Sequence, residues 1–168
     1  MAQFQAGTIV VYGNLGVHEV ENICKKSFSG EPAREYYTLR PYFSDSNDRS
    51  YIPTEKENVI RFVVSPEQAK SCLEKIKTEE ISASGFSNQT FLAAHYQELL
   101  HANDFYEDLK LFKELYRKQK AQKSKGRKTN AMDVHFYQLA ERILKEELSI
   151  AFHITPEEAV KQLKEAVS

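Results

Sequence analysis

The chain of 168 residues contains no tryptophan, two cysteines and no long apolar run. Its longest apolar runs, such as residues 8–12, have only a few residues, whereas a membrane-spanning helix needs about 20. Cys24 and Cys72 form no CxxC pair, which excludes a disulfide scaffold or a zinc finger and favours a reducing compartment. The opening MAQFQAGT lacks the basic and apolar regions of a secretory signal. We therefore expect a cytoplasmic protein with no membrane association.

The sequence also lacks the motifs of the common enzyme classes. It contains no HExxH, GxSxG, GxGxxG or phosphate-binding GxxxxGK[ST], and no two histidines are four residues apart. Paired carboxylates could still support catalysis, because Asp and Glu occur throughout the chain. We expect a non-enzymatic protein without a cofactor, a metal or a small-molecule ligand.

The net charge of −1 conceals an uneven distribution of charge along the chain. Residues 117–128 (RKQKAQKSKGRK) hold 7 basic side chains and no acidic one. The remaining residues hold 16 basic and 24 acidic side chains, since the totals are 23 and 24. Such a block creates a local field that attracts a polyanion, or it is a solvated helix end whose cations complement the helix dipole.

The first 64 residues have the period-two pattern of β-strands. Turn signals such as Gly13-Asn14 and the polar residues 44–48 separate short β-branched and aromatic runs. The candidate strands are residues 8–12, 17–26, 35–40, 49–52 and 58–64. Because closure removes exposed sheet edges, we predict a five-stranded antiparallel barrel of the SH3 or Tudor type.

From residue 65 onward the apolar period is that of helices. Ser65 and Thr155 each begin a capping box with proline at the first helical position. The central stripe is Phe105, Leu109, Phe112 and Tyr116, the preceding one is Phe91, Leu92, His95 and Leu99, and the following one lies within residues 132–148. We predict an α+β protein with a barrel over residues 1–64 and a helical bundle over 65–168. Residues 78–88 are predicted to be a linker or an inter-helix loop.

Several segments occur in an order and spacing known from one protein family. They are residues 4–17 (FQAGTIVVYGNLGV), 35–39 (EYYTL), 52–53 (IP), the helix start SPEQA, and residues 99–104, 109–116 and 140–148. Together they resemble the CarD/CdnL transcription regulators. The barrel of that family is shared with the polymerase-interacting domain of transcription-repair coupling factors.

The resemblance implies a bacterial regulator that binds RNA polymerase and promoter DNA. Members of the family dock on the polymerase β subunit partly by strand pairing, which is edge augmentation. Their helical domain lies against the upstream edge of the melted bubble. Preferential binding to the open complex would then shift the equilibrium between closed and open complexes.

The resemblance also assigns residues to the polymerase contact. The cationic contact of the family falls on Lys26, beside Lys25. Its second, arginine contact falls on Tyr51, where the charge is missing, and Arg49 is a candidate substitute or an ordinary exposed strand charge. The predicted polymerase-binding residues are therefore Lys25, Lys26, Arg49 and Tyr51.

The sequence departs from the family in the DNA-facing helix. Many members carry a tryptophan there that wedges into the minor groove, and wedges of this kind unstack a base step. Our alignment places Gln89 at that position, with Phe86 and Phe91 on either side. These phenylalanines are candidate wedges or core residues.

The basic block is the stronger candidate for DNA binding. Its cations would contact phosphates, which gives affinity without sequence readout. The predicted DNA-binding residues are Arg117, Lys118, Lys120, Lys123, Lys125, Arg127 and Lys128.

Two other functions remain open from the sequence. One is a protein–protein adaptor that binds polymerase or another partner without touching DNA. The other is a free nucleic-acid-binding barrel that resembles the elongation-factor KOW type, in which bases stack on Tyr36, Tyr37, Tyr42 and Tyr51.

Overall fold

The computed structural model describes residues 3–81 and 88–168. The chain divides into two compact units, Met1–Val63 and Val64–Ser168. Within the described ranges, no helix is both long and apolar enough to cross a membrane.

The first unit is a five-stranded antiparallel sheet. Its hydrogen-bonded order is β4-β3-β2-β1-β5. The strands are β1 (Ile9–Tyr12), β2 (Val17–Lys26), β3 (Arg34–Pro41), β4 (Ser50–Pro53) and β5 (Ile60–Phe62). The five predicted strands are thus confirmed, and the last is shorter than expected because residues 54–59 form a 3₁₀ turn before it.

The sheet is open, whereas the sequence analysis predicted a closed barrel. β4 and β5 lie at the two ends of the order and are the sheet edges. β4 has four residues and β5 has three, so each edge exposes few unpaired backbone groups. Short edge strands limit unwanted pairing without closure.

Alternation of side chains along the strands places one apolar cluster on a single face of the sheet. Tyr37 lies at its centre, with no exposed surface, and its hydroxyl accepts a hydrogen bond from the backbone N–H of Gln3 at 2.8 Å. The buried members of the cluster are Phe4, Val10, Val20, Tyr37, Leu39, Ile52 and Ile60. The turn between β1 and β2 uses Gly16 at φ 89°, a conformation that favours glycine.

The second unit consists of five helices. They are α1 (Pro66–Thr78), α2 (Gln89–His101), α3 (Phe105–Ser124), α4 (Ala131–Phe152) and α5 (Pro156–Val167). Both predicted capping boxes are present, at Ser65 and Thr155. Asn130 caps α4, and its side chain accepts a hydrogen bond from the backbone N–H of Asp133.

The apolar stripes of α3 and α4 form the core of this unit. Leu109, Leu111, Phe112, Leu144 and Leu148 have no exposed surface. The buried face of α2 differs from the predicted one: it is Leu92, Tyr96 and Leu100, while Phe91 is 61% exposed. The difference arises because the buried hydroxyl of Tyr96 has a partner in α4, which allows a polar aromatic residue to lie in the core.

Candidate functional site

Lys26 and Tyr51 contact one another in the first unit. The Nζ of Lys26 lies 4.0 Å from the centroid of the Tyr51 ring, a cation–π distance. Lys26 is the last residue of β2 and Tyr51 lies in β4, and both strands pair with β3. The fold therefore brings together the two positions that the family resemblance assigns to polymerase binding.

Phe28 joins this contact, although the sequence analysis did not select it. Its ring centroid lies 5.7 Å from that of Tyr51 and 5.1 Å from that of Tyr36. Phe28 is 41% exposed and Tyr51 is 36% exposed, while Tyr36 beneath them is buried. We call Lys26, Phe28, Tyr36 and Tyr51 the aromatic–lysine cluster. The available sequence signal was an aromatic residue just after a predicted strand that ends in two lysines.

The other two predicted polymerase-binding residues lie apart from these contacts. Lys25 is exposed, because its side chain points away from that of Lys26 along the strand. Arg49 precedes β4, and its Nε lies 2.8 Å from Oε2 of Glu21. The charge that was predicted to replace the missing arginine is therefore already matched by a carboxylate.

The four tyrosines of the KOW-like alternative do not form one exposed surface. Tyr37 is completely buried in the core and Tyr36 is 9% exposed. Only Tyr42 and Tyr51 have substantially exposed rings. Buried rings cannot stack on bases, so this arrangement disfavours that alternative.

The basic block of the second unit spans a helix end and a loop. Arg117, Lys118, Lys120 and Lys123 lie on α3, while Lys125, Arg127 and Lys128 follow its last residue, Ser124. Six of the seven are exposed, and Lys118 is partly buried. Within the described part of the chain, those six make no ion pair.

Lys118 has an internal partner instead. Its Nζ lies 2.8 Å from Oδ2 of Asp133, a side chain with no exposed surface. The hydroxyl of Tyr96 donates to Oδ1 of the same carboxylate at 2.8 Å. Burial and this hydrogen bond raise the pKa of Tyr96 above its ordinary value. Lys118 therefore neutralises a buried charge, which leaves it less available to DNA than the exposed cations of the block.

The middle and the C-terminal end of α3 also differ in what their lysines contact. Near the middle of the helix, the buried Lys113 donates from Nζ to the carbonyl oxygens of Ile76 and Glu79, the latter at 2.7 Å. These carbonyls belong to the C-terminal end of α1, where a cation complements the helix dipole. Lysines that lie further along α3 than Lys118 reach solvent.

The candidate wedge residues have different positions. Gln89 is the first residue of α2 and is exposed. Phe91 is 61% exposed, so the alternative that it belongs to the core is wrong. Phe86 lies outside the described residues.

Residues 4–64 match the family model described as CarD-like/TRCF RID domain. The N-terminal unit is thus similar to this domain, and we call it the CarD-like domain. The match extends over all five strands and the aromatic–lysine cluster, and it confirms the resemblance drawn from the sequence for residues 4–64. A search of curated proteins finds no match to the chain. The CarD-like domain indicates interaction with RNA polymerase and a role in transcription.

Proposed function

We propose that the protein is a non-enzymatic bacterial transcription regulator that binds RNA polymerase and contacts promoter DNA at the same time. Its CarD-like domain binds the polymerase β subunit. Its helical unit binds DNA phosphates and alters the stability of the open complex. The protein acts in the cytoplasm, where it reaches the nucleoid through polymerase.

The aromatic–lysine cluster of the CarD-like domain is the main observation in favour of polymerase binding. Lys26, Phe28 and Tyr51 combine a cation with two exposed rings at the strand end next to the β4 edge. Exposed aromatic residues supply much of the binding free energy at protein interfaces. An edge strand beside them can also accept an incoming strand.

The proposal that the helical unit binds DNA is supported by the exposed cations of the basic block. Arg117, Lys120, Lys123, Lys125, Arg127 and Lys128 have no ion-pair partner in the described residues and lie on a unit that is otherwise acidic. Cations of this kind bind phosphates without reading bases. If about four phosphates are contacted, affinity should fall roughly a hundredfold between 50 and 200 mM salt.

Retention on immobilised RNA polymerase tests the polymerase half. We expect the wild-type chain to be retained and Lys26→Glu to be lost, because the substitution reverses the charge beside the Tyr51 ring. Lys56→Glu is the matched control, since Lys56 is an exposed lysine of the same unit outside the cluster. Failure of the wild-type chain to be retained would overturn the proposal. A photo-crosslinker at Phe28 identifies the polymerase subunit that is contacted.

Promoter binding by the polymerase-bound protein tests the DNA half. The variant with Lys123, Lys125, Arg127 and Lys128 all changed to Glu should remain on polymerase but lose its effect on open-complex lifetime. If the variant still binds polymerase and the open-complex lifetime is the same as with the wild-type protein, the adaptor function without DNA contact would be favoured.

A further inference from the structure

A lysine of α5 lies beside the lysines of the basic block. Lys164 shares the lining of a cavity of about 370 Å³ with Lys120 and Lys123 of α3. The rest of the lining is Tyr116 and Gln119 of α3 and Tyr137 of α4. We call this cavity the lysine–tyrosine cleft. Its three lysines come from two helices that are more than 30 residues apart in the sequence, so the basic block alone does not reveal it.

Helical spacing explains which cations of α3 belong to the cleft. Tyr116, Lys120 and Lys123 follow one another at steps of four and three residues, so they share one face of the helix. Lys118 is two residues from Lys120 and therefore points elsewhere, toward Asp133. The basic end of α3 thus has one face that supports the fold and another that is open to solvent.

The three lysines of the cleft lack internal partners, unlike four other lysines of the second unit, among them Lys118. Lys77 pairs with Glu74, Lys110 pairs with Glu107, and Lys113 donates to backbone carbonyls. Within the described residues, the side chains of Lys120, Lys123 and Lys164 have no ion pair or hydrogen bond. No carboxylate lines the cleft. Burial raises the pKa of Tyr137, and the charge and hydrogen bond of Glu141 raise it further.

The tyrosines give the cleft a defined floor. The Tyr137 ring stacks on Phe112 of the core, with centroids 5.2 Å apart and an angle of 20° between the planes. Tyr116 packs against the same phenylalanine, at a centroid distance of 6.3 Å. The ammonium groups of the three lysines above this floor are donors that bind phosphate oxygens.

We propose that the lysine–tyrosine cleft binds the phosphate backbone of DNA and that Lys164 is one of its contacts. This inference rests on the proposed function, and it identifies the surface of the helical unit that the DNA follows. Arg127 and Lys128, in the loop after α3, would extend the cationic path beyond the cleft.

The test compares Lys164→Gln with Lys161→Gln in the full chain. Both positions are exposed lysines of α5, so the two variants lose the same charge. Lys161, however, lies beside Glu158 and Glu165 in a separate depression. The measurement is the affinity for a fluorescent DNA duplex as a function of salt concentration, with a thermal melt to verify that each variant is folded.

Losing one phosphate contact should reduce the slope of log affinity against log salt by about 0.9. For a chain that contacts three phosphates, the affinity loss between 50 and 200 mM salt would then change from roughly 40-fold to roughly 12-fold. Lys161→Gln should keep the wild-type slope. The double variant Lys120→Gln, Lys164→Gln should lose about 1.8 from the slope.

The outcomes separate this inference from the proposed function. If the wild-type chain binds DNA and Lys164→Gln has the same slope as Lys161→Gln, the proposal that the cleft binds DNA is wrong. The proposed function is then unaffected. If the wild-type chain fails to bind DNA at all, the DNA half of the proposed function is overturned together with the cleft.

Discussion

The Nζ of Lys118 lies 2.8 Å from Oδ2 of Asp133, a carboxylate with no exposed surface on α4. One cation from the most basic part of the chain is therefore part of the internal structure. The neighbouring cations of the block are exposed. The basic block thus combines two roles that a count of charges cannot separate.

This pair predicts that Lys118→Met will destabilise the fold while leaving DNA binding nearly unchanged. Removing one partner of a buried ion pair leaves an uncompensated charge, which costs about 3–5 kcal/mol when both partners are buried. Because Lys118 is 28% exposed, we expect about 2 kcal/mol in the free energy of unfolding. Urea denaturation measures the change, with Lys120→Met as the control expected to stay within about 0.5 kcal/mol. Equal losses in the free energy of unfolding for the two variants would contradict the structural role of Lys118.

The aromatic–lysine cluster predicts a specific effect of Phe28→Ala on polymerase binding. We expect affinity for RNA polymerase to fall roughly thirtyfold, as for an aromatic hot-spot residue worth about 2 kcal/mol. Phe43→Ala is a closely matched control, since Phe28 and Phe43 are each 41% exposed and Phe43 contacts Tyr42 instead of the cluster. Surface plasmon resonance with immobilised polymerase compares them. Similar affinities for the two variants would mean that the cluster is not the contact.

Lys113 predicts a stability effect inside the helical unit. Lys113→Met keeps the apolar stem but leaves the terminal carbonyls of α1 without their donor, at a cost of about 2–3 kcal/mol. Lys110→Met removes a partly exposed pair with Glu107 and a cation–π contact with Tyr106 at 5.3 Å, and should change the free energy of unfolding by about 1 kcal/mol. Denaturant unfolding followed by circular dichroism provides both values. A smaller loss for Lys113→Met than for Lys110→Met would refute the capping role.

Tyr106 predicts a loss of stability at alkaline pH. Burial and the nearby charge of Glu79 raise its pKa from 10.0 to about 12. A raised folded-state pKa means that the stabilisation is complete below pH 10 and is lost as the pH rises toward 12. The wild-type chain should therefore lose stability relative to Tyr106→Phe across this window. Unfolding free energies measured at a series of pH values test the difference, and parallel curves for the two proteins would exclude it.

Local signals in the sequence were sufficient for the starts of α1 and α5 and for the approximate positions of the strands. The capping boxes at Ser65 and Thr155 are complete within four residues, so each could be read directly from the chain. The stripe of Phe105, Leu109 and Phe112 likewise depends only on helical spacing.

Features that depend on distant residues could not be predicted in the same way. The buried face of α2 is set by the partner of Tyr96 in α4, 37 residues away. The role of Lys118 depends on Asp133, and Lys164 approaches Lys120 only through the packing of α5. Closure of the sheet was predicted from the number of strands, but closure depends on pairing between β4 and β5, and the sheet is open.

The edge strand β4 limits how firmly another chain could pair with it. It has four residues and ends at Pro53, which has no N–H to donate to a neighbouring strand. Backbone hydrogen bonds would therefore be few, and side chains would have to provide most of the attraction. A complex built in this way is expected to dissociate readily, which would let one copy of the protein serve successive rounds of transcription initiation.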